Sequence, residues 1–351
     1  MNKKLFALAI VSAASAASAQ SSLTLYGVVD ASVESVKAGN DTVTRVSSDN
    51  LASSRFGLKG TEDLGGGLKA VFVLESAVST DTGAADTSRF FGRQAWVGLS
   101  GSFGELRLGR TDSSIGALAG NSGLLGAQAY DDFKIAKTHA GDKYRRVDNS
   151  ITYVLPKLVD GLSAQVQYST TAGAKDVATT VNGVGVEKAG DKTGRLYGLN
   201  AQYAAGAFSA GLGYLVAEAN DAGAKDKAAL AYVSYDFTAA KVTGYYNRSA
   251  GHLGLNGARY LYGVRFDVPL ASAFALQASV SRASEWKYIR DNADATIVSL
   301  KGVYNLSKRT SVYALATTVS NDDASAIAVG GVAGVAGERS SGLAVGVSHK
   351  F

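Results

Sequence analysis

The sequence predicts an all-β fold: a 16-stranded antiparallel transmembrane β-barrel with short turns on one rim, long loops on the other and an inward-folded third loop. Three observations carry that expectation. The 351 residues include 41 glycines and 17 tyrosines but only 2 prolines. Apolar and polar residues alternate in runs of about ten, longer than the five or six of an ordinary strand. The connections between runs are short and long by turns. Scarce proline suits long ladders, because proline has no backbone N–H to donate. Long runs with one apolar and one polar face match a tilted bilayer crossing. A soluble sandwich would have shorter strands and denser turns.

Taken in order, residues 1–19 read as a secretory signal peptide. Lys3 and Lys4 precede an apolar run from Leu5 to Val11, and Ala17-Ser18-Ala19 occupies the A-x-A cleavage position. The run is too short to span a bilayer, which takes about 20 residues. Residues 20–351 are then expected to form a single barrel domain. Without Lys3 and Lys4 the formal charge falls from +5 to +3, and no basic cluster suggests a nucleic-acid partner. The chain has no cysteine, which excludes disulfides and thiolate metal sites.

Alternation is plain in LSAQVQYS, where Leu162, Ala164, Val166 and Tyr168 share one face. It recurs in YLYGVRFDV, through Tyr260, Tyr262, Val264 and Phe266, and in FALQASVS, through Phe274, Leu276, Ala278 and Val280. Tight turns are expected at 63–66, 100–103, 156–161, 204–206, 238–240, 269–272 and 306–309. Longer segments lie at 37–43, 81–88, 113–143, 172–193, 219–227, 250–258, 285–294 and 321–339. Seven short turns and eight long loops join sixteen strands. Both prolines, Pro156 and Pro269, fall at tight turns. Sixteen strands leave room for an aqueous channel, whereas eight would be filled by side chains.

Parity also sorts the wall. In SRFGLKG, Phe56 and Leu58 point outward, so Arg55 and Lys59 point into the lumen. In FGRQAWVGL, Trp96 suits the outer face, which places Arg93 and Ala95 inside. In RRVDNSITY, Ile151 and Tyr153 suit the outside, leaving Ser150, Thr152 and Arg146 within; a one-residue bulge would substitute Arg145. Singly, each cation reads equally well as a solvated wall residue paired with a loop acid. Jointly they read as one basic stripe. Segment 113–143 is too long for a plain connection. Folded inward, it would set Asp131 and Asp132 against that stripe; left outside, it would be a solvated loop.

SSLTLYGVVDASVE, SRFGLKGTEDLGGGLKAVFVLES, FFGRQAWVGLSGSFGELRLGR, RVDNSITYVLP, YNLSKRTSVYALATTVSN and the last residues VGVSHKF together resemble the trimeric general porins of Gram-negative outer membranes, in their β-proteobacterial branch. The resemblance implies export through the periplasm to the outer membrane, a homotrimer, and one pore per barrel narrowed by the third loop. It also implies arginines on strands two, four and six facing acids of that loop, carried here onto Arg55, Arg93 and Arg146. Lipopolysaccharide and outer-membrane lipids are the implied surroundings. The Pro-Glu-Phe-Gly-Gly element that some porins carry on this loop is absent.

No cofactor is expected. GGGLKA at 65–70 lacks the strand-then-helix setting of a phosphate cradle, and His139, His252 and His349 are scattered. The function expected is passive diffusion of small hydrophilic solutes and ions, with weak to moderate anion preference. The alternative is a substrate-specific channel for small organic anions, since an arginine cluster suits carboxylates. An enzyme would need converging catalytic groups, and no Ser/His/Asp arrangement is evident.

GLAVGVSHKF alternates to its last residue, with Leu343, Val345, Val347 and Phe351 on one face. The expectation is a seam strand pairing with SLTLYGVV, so that no ladder edge meets lipid. By resemblance, Phe351 is the residue read by the barrel-assembly machinery.

Overall fold

The computed structural model describes residues 21–351 apart from 86–88, 126–129, 171–178, 182–183, 187–193, 220–222, 252–256 and 286–291. The signal peptide therefore lies outside the described residues, as does His252. The first half of the wall comprises β1 (Ser22–Ala38), β2 (Asp41–Ser48), β3 (Arg55–Gly65), β4 (Leu68–Ala77), β5 (Gln94–Gly101), β6 (Gly104–Asp112), β7 (Arg146–Val154) and β8 (Leu162–Ser169). A small hairpin follows, β9 (Thr179–Val181) with β10 (Val184–Val186). The second half comprises β11 (Leu196–Ala205), β12 (Phe208–Glu218), β13 (Lys225–Asp236), β14 (Lys241–Ala250), β15 (Ala258–Pro269), β16 (Phe274–Glu285), β17 (Ala295–Asn305), β18 (Thr310–Asn321) and β19 (Ser340–Lys350).

These make one 17-stranded sheet of antiparallel neighbours, closed where β1 pairs with β19 from Val28↔Lys350 to Ala38↔Ser340. β2 and β3 are two pieces of a single crossing. β1 pairs with β2 along its second half, Val33 opposite Val46, and with β3 along its first, Leu25 opposite Leu58. The barrel therefore has sixteen crossings. Residues 49–54 leave the ladder between the two pieces, and the Ser54 hydroxyl replaces the missing backbone partner. It accepts from Asp30 N at 3.0 Å and donates to Asp30 O at 3.2 Å. Alternation alone does not reveal such an interruption, because both pieces keep their own period.

All seven short turns lie where the sequence places them, between Gly65 and Leu68 at the first and between Asn305 and Thr310 at the last. One long connection does not. Segment 37–43 is a tight turn around Gly39, whose positive φ of 59° favours glycine, and the strands run up to it on both sides. Polar Asp41 and Thr42 read as loop, yet they sit in the ladder, opposite Ala38 and Lys37.

Outward positions carry exposed apolar side chains, among them Leu23, Leu25, Leu212, Leu343 and Val345. Phe103, Tyr203, Phe208, Tyr235, Phe237, Tyr304 and Phe351 ring the short-turn rim. Aromatic girdles of this kind mark the bilayer interface. Among the described residues no helix is long and apolar enough to cross a membrane, so the strands do the crossing.

The third loop fills the lumen from one side. Its helix α1 (Ser114–Asn121) is capped by Ser113, whose hydroxyl accepts from Gly116 N at 2.9 Å. Ile115, Leu118 and Ala119 form its buried face. Leu118 rides over Gly211 and Gly213 of β12, where an added Cβ would lie 2.8 and 2.9 Å from its methyl carbons. A second short helix, α2 (Asp132–Ile135), is capped by Asp131, which accepts from Phe133 N at 2.9 Å. The loop is then tied to the far wall. Tyr130 donates to Glu34 at 2.9 Å, Tyr144 donates to Asp226 at 2.8 Å, and His139 N donates to Ser249 Oγ at 2.9 Å.

Candidate channel constriction

Where the third loop approaches β3–β7, the lumen narrows to a cavity of about 520 Å³. One side is basic. Arg55 opens β3, just after the 49–54 interruption, and its Nε lies 3.5 Å from Glu75 Oε2 on β4. Arg93 Nε lies 2.7 Å from Glu75 Oε1. Tyr26 donates to Glu75 Oε2 at 3.0 Å, so a single carboxylate holds two guanidinium groups and a phenol. Deeper along the wall, Arg145 Nη1 and Arg146 Nε stand 3.0 and 3.3 Å from Asp112 Oδ1. Both are ion pairs to the same carboxylate oxygen, so two guanidinium groups share a single negative charge. The opposite side comes from the third loop, with Asp131, Lys134 and Asp142 lining the same cavity and Lys134 3.5 Å from Asp142.

Four guanidinium groups against two carboxylates leave the wall with two surplus positive charges, while the loop side carries one surplus negative charge. A field therefore runs across the opening. Such charges alter local ion concentrations without binding any ion tightly.

Of the residues singled out from the sequence, Arg55, Arg93, Arg146 and Asp131 line this cavity together, and Arg145 joins them. Lys59 faces the lumen but lies four residues further along β3, its ammonium 5.4 Å from the centroid of the Tyr26 ring, and does not line the opening. Asp132 points the other way. As the first residue of α2 it turns behind the loop, where Tyr245 donates to its Oδ2 at 2.5 Å and Ser299 lies 3.5 Å from its Oδ1. Burial there pushes its carboxyl above the usual range, against the pull of the Tyr245 hydroxyl. Asp131 precedes α2 as its N-cap with extended backbone, whereas Asp132 is the first helical residue, and of the two only Asp131 lines this cavity.

Trp96 corrects the parity assigned to β5. It pairs with Val73 and shares its inward face with Gln94, to which its indole N–H donates at 2.8 Å. Arg107 stacks on it at 4.7 Å, while Val97 and Leu99 face lipid. Ala95 is therefore outward, and Arg93 reaches the lumen only because it precedes the regular strand. The sequence reading passed over Glu75 and Asp112. Parity gives Glu75 away, since it alternates with Phe72 and Leu74; Asp112 lies past the Gly109/Thr111 bulge, where parity no longer applies. Among the described residues no group of three or more His, Cys, Asp or Glu is placed to hold a metal ion.

A closed barrel of sixteen crossings whose lumen is narrowed by a charged internal loop is the architecture of a membrane channel. Residues 7–324 match the Gram-negative porin family, and the chain belongs to it. It is 34% identical to outer membrane porin protein 32 of Delftia acidovorans and 31% identical to an outer membrane porin protein of Bordetella pertussis, each over the full length of both chains. It also superposes on an anion-selective porin from Comamonas acidovorans with a TM-score of 0.77 at 29% identity, covering 95% of this chain and all of that one. The protein is an outer-membrane channel, and its chemistry is permeation rather than turnover.

Proposed function

We propose that the channel passes small hydrophilic solutes passively with a weak to moderate preference for anions. The observation that supports this most is the convergence of Arg55, Arg93, Arg145 and Arg146 on only two carboxylates, Glu75 and Asp112. The surplus positive charge lowers the energy of an anion in the narrowest section and raises that of a cation. Asp131 on the loop side gives cations a parallel lane, which limits the selectivity. The similarity to an anion-selective porin supports the same sign. Reversal potentials of the reconstituted protein in a potassium chloride gradient test this reading, and a cation preference would overturn it.

Two paired arginine sites also suit small organic anions, because guanidinium groups bind carboxylates through two parallel hydrogen bonds. Block of chloride current by dicarboxylates at low concentration would favour that narrower specificity.

By family membership the working unit is a homotrimer assembled among outer-membrane lipids and lipopolysaccharide. β19 carries the signal for the barrel-assembly machinery, with Phe351 as its key residue. The seam supports this role for Phe351, which exchanges backbone hydrogen bonds with Gly27 at 3.1 Å in both directions. Assembly of a Phe351-deleted chain in cells tests it.

A further inference from the structure

The outer wall carries charges that the pore does not use. On β13, Lys225 and Lys227 share the outward face with Val233 and Tyr235, and all four are exposed. Arg248 on β14 and Tyr260 on β15 face outward beside them, with exposed Tyr246 and Tyr262 just below. Arg248 is paired with Ala229 and Lys227 with Ala250, so the two cations are diagonal neighbours, roughly 7–8 Å apart along the sheet. The Arg248 guanidinium carbon stands 6.0 Å from the centroid of the Tyr260 ring, which is itself 6.2 Å from that of Tyr246.

Arg282, another outward cation, shows what the wall normally does with such a charge. Its Nη2 lies 2.5 Å from Asp322 Oδ2 and 3.4 Å from Asp294 Oδ2. Lys225, Lys227 and Arg248 have no such carboxylate among the described residues; Glu218 faces Lys225 in register without an ion pair. Cations on a lipid-facing surface are costly unless they reach the interface and find an anion there. These three stand at the long-loop rim, which is the external one in barrels of this class.

We propose that Lys225, Lys227 and Arg248 form a docking site for the phosphorylated headgroup of an outer-leaflet glycolipid of the lipid A type. The inference rests on the reading of the chain as an outer-membrane barrel. Arg248 offers a planar fork to one phosphate, held flat by Tyr260, and the two lysines act as point charges on the same headgroup. Tyr246, Tyr260 and Tyr262 pack on the sugar and the upper acyl chains, as amphipathic rings do at an interface.

The experiment reconstitutes the full channel in phosphatidylcholine vesicles containing either bisphosphorylated lipid A or its dephosphorylated form. The protein is re-extracted in detergent, washed, and its bound lipid A counted by mass spectrometry. The wild type should retain the bisphosphorylated form only. The double variant Lys227→Gln/Arg248→Gln should retain about tenfold less. Arg282→Gln should retain as much as wild type, and Arg248→Lys an intermediate amount. Equal retention by wild type and double variant, or of both lipids by wild type, overturns the site. A change of oligomeric state with unchanged lipid retention also overturns it and makes the patch a contact between copies. Conductance of each protein in the same vesicles keeps the two readings apart. A wild type that retains lipid A but carries no current counts against the channel and not against the site.

Discussion

Arg93 holds Glu75, Nε to Oε1 at 2.7 Å, from a position that the alternation of the following strand would aim at lipid. The residue escapes that rule because β5 starts at Gln94, and its own N–H is fixed by Glu75 O at 3.1 Å. Glu75 also receives Arg55 and the Tyr26 hydroxyl, so one carboxylate sets the position of half the basic wall.

Glu75→Gln should therefore strengthen the anion preference while loosening the site. The amide keeps the volume and an acceptor for Tyr26 but leaves Arg55 and Arg93 without their counter-charge. Removing the ionised partner of a buried hydrogen bond costs about 1–3 kcal/mol. The chloride-to-potassium permeability ratio should rise, and the temperature at which the barrel loses its compact gel mobility should fall.

Gly211→Val should displace the constriction from behind. Its Cβ would arrive 2.8 Å from a Leu118 methyl carbon and 2.5 Å from the Tyr232 ring, on a wall with no slack. Overpacking of this kind costs about 1–3 kcal/mol. The third loop should lift from β12, and single-channel records should show larger, noisier currents. Unchanged conductance would mean that α1 does not depend on the glycine-lined wall.

Acid should unseat the same loop at its other end. His139 Nε2 lies 3.0 Å from Ala250 O, and burial pushes the imidazole below its usual value. Asp226 and Asp142 pull the other way, and Lys143 adds to the depression. A depressed value means that the folded loop binds fewer protons than the released loop. Its stabilisation is thus complete above the ordinary histidine value of about 6.5 and is lost as the pH falls through the lower folded value. Hydrogen exchange of residues 139–144 should accelerate over that window. In His139→Asn the acceleration should disappear.

Gly27→Val should fail at closure. A Cβ at Gly27 would meet the Phe351 ring at 2.3 Å and Arg55 O at 2.6 Å, and the second contact is with backbone that cannot move aside. The variant should not reach the heat-modifiable, compact form on a denaturing gel.

Much of this was legible beforehand, and the failures are local. Strict alternation located the crossings, the seven turns and the outward row Leu343, Val345 and Val347, because a one-residue slip would put every apolar side chain in water. Parity placed Arg55 in the lumen correctly, misjudged Trp96 and Ala95 inside the regular strand β5 because a tryptophan suits either face, and does not reach residues that lie outside the ladder. Arg93 precedes its strand, and the Gly109/Thr111 bulge brings Asp112 to both Arg145 and Arg146. Constrictions are built at such irregularities because a regular strand aims only every second residue inward. Asp131 and Asp132 were inseparable by composition; only the turn of α2 tells which one faces the opening.

The central claim is that the guanidinium surplus around Glu75 and Asp112 sets the selectivity. Its most direct test is the reversal potential of wild type and Arg93→Glu in the same potassium chloride gradient. The claim predicts a chloride-selective potential for wild type and a shift to cation selectivity in the variant, with the barrel still compact on the gel. A wild-type potential of cationic sign, or an identical potential in the two proteins, would contradict it.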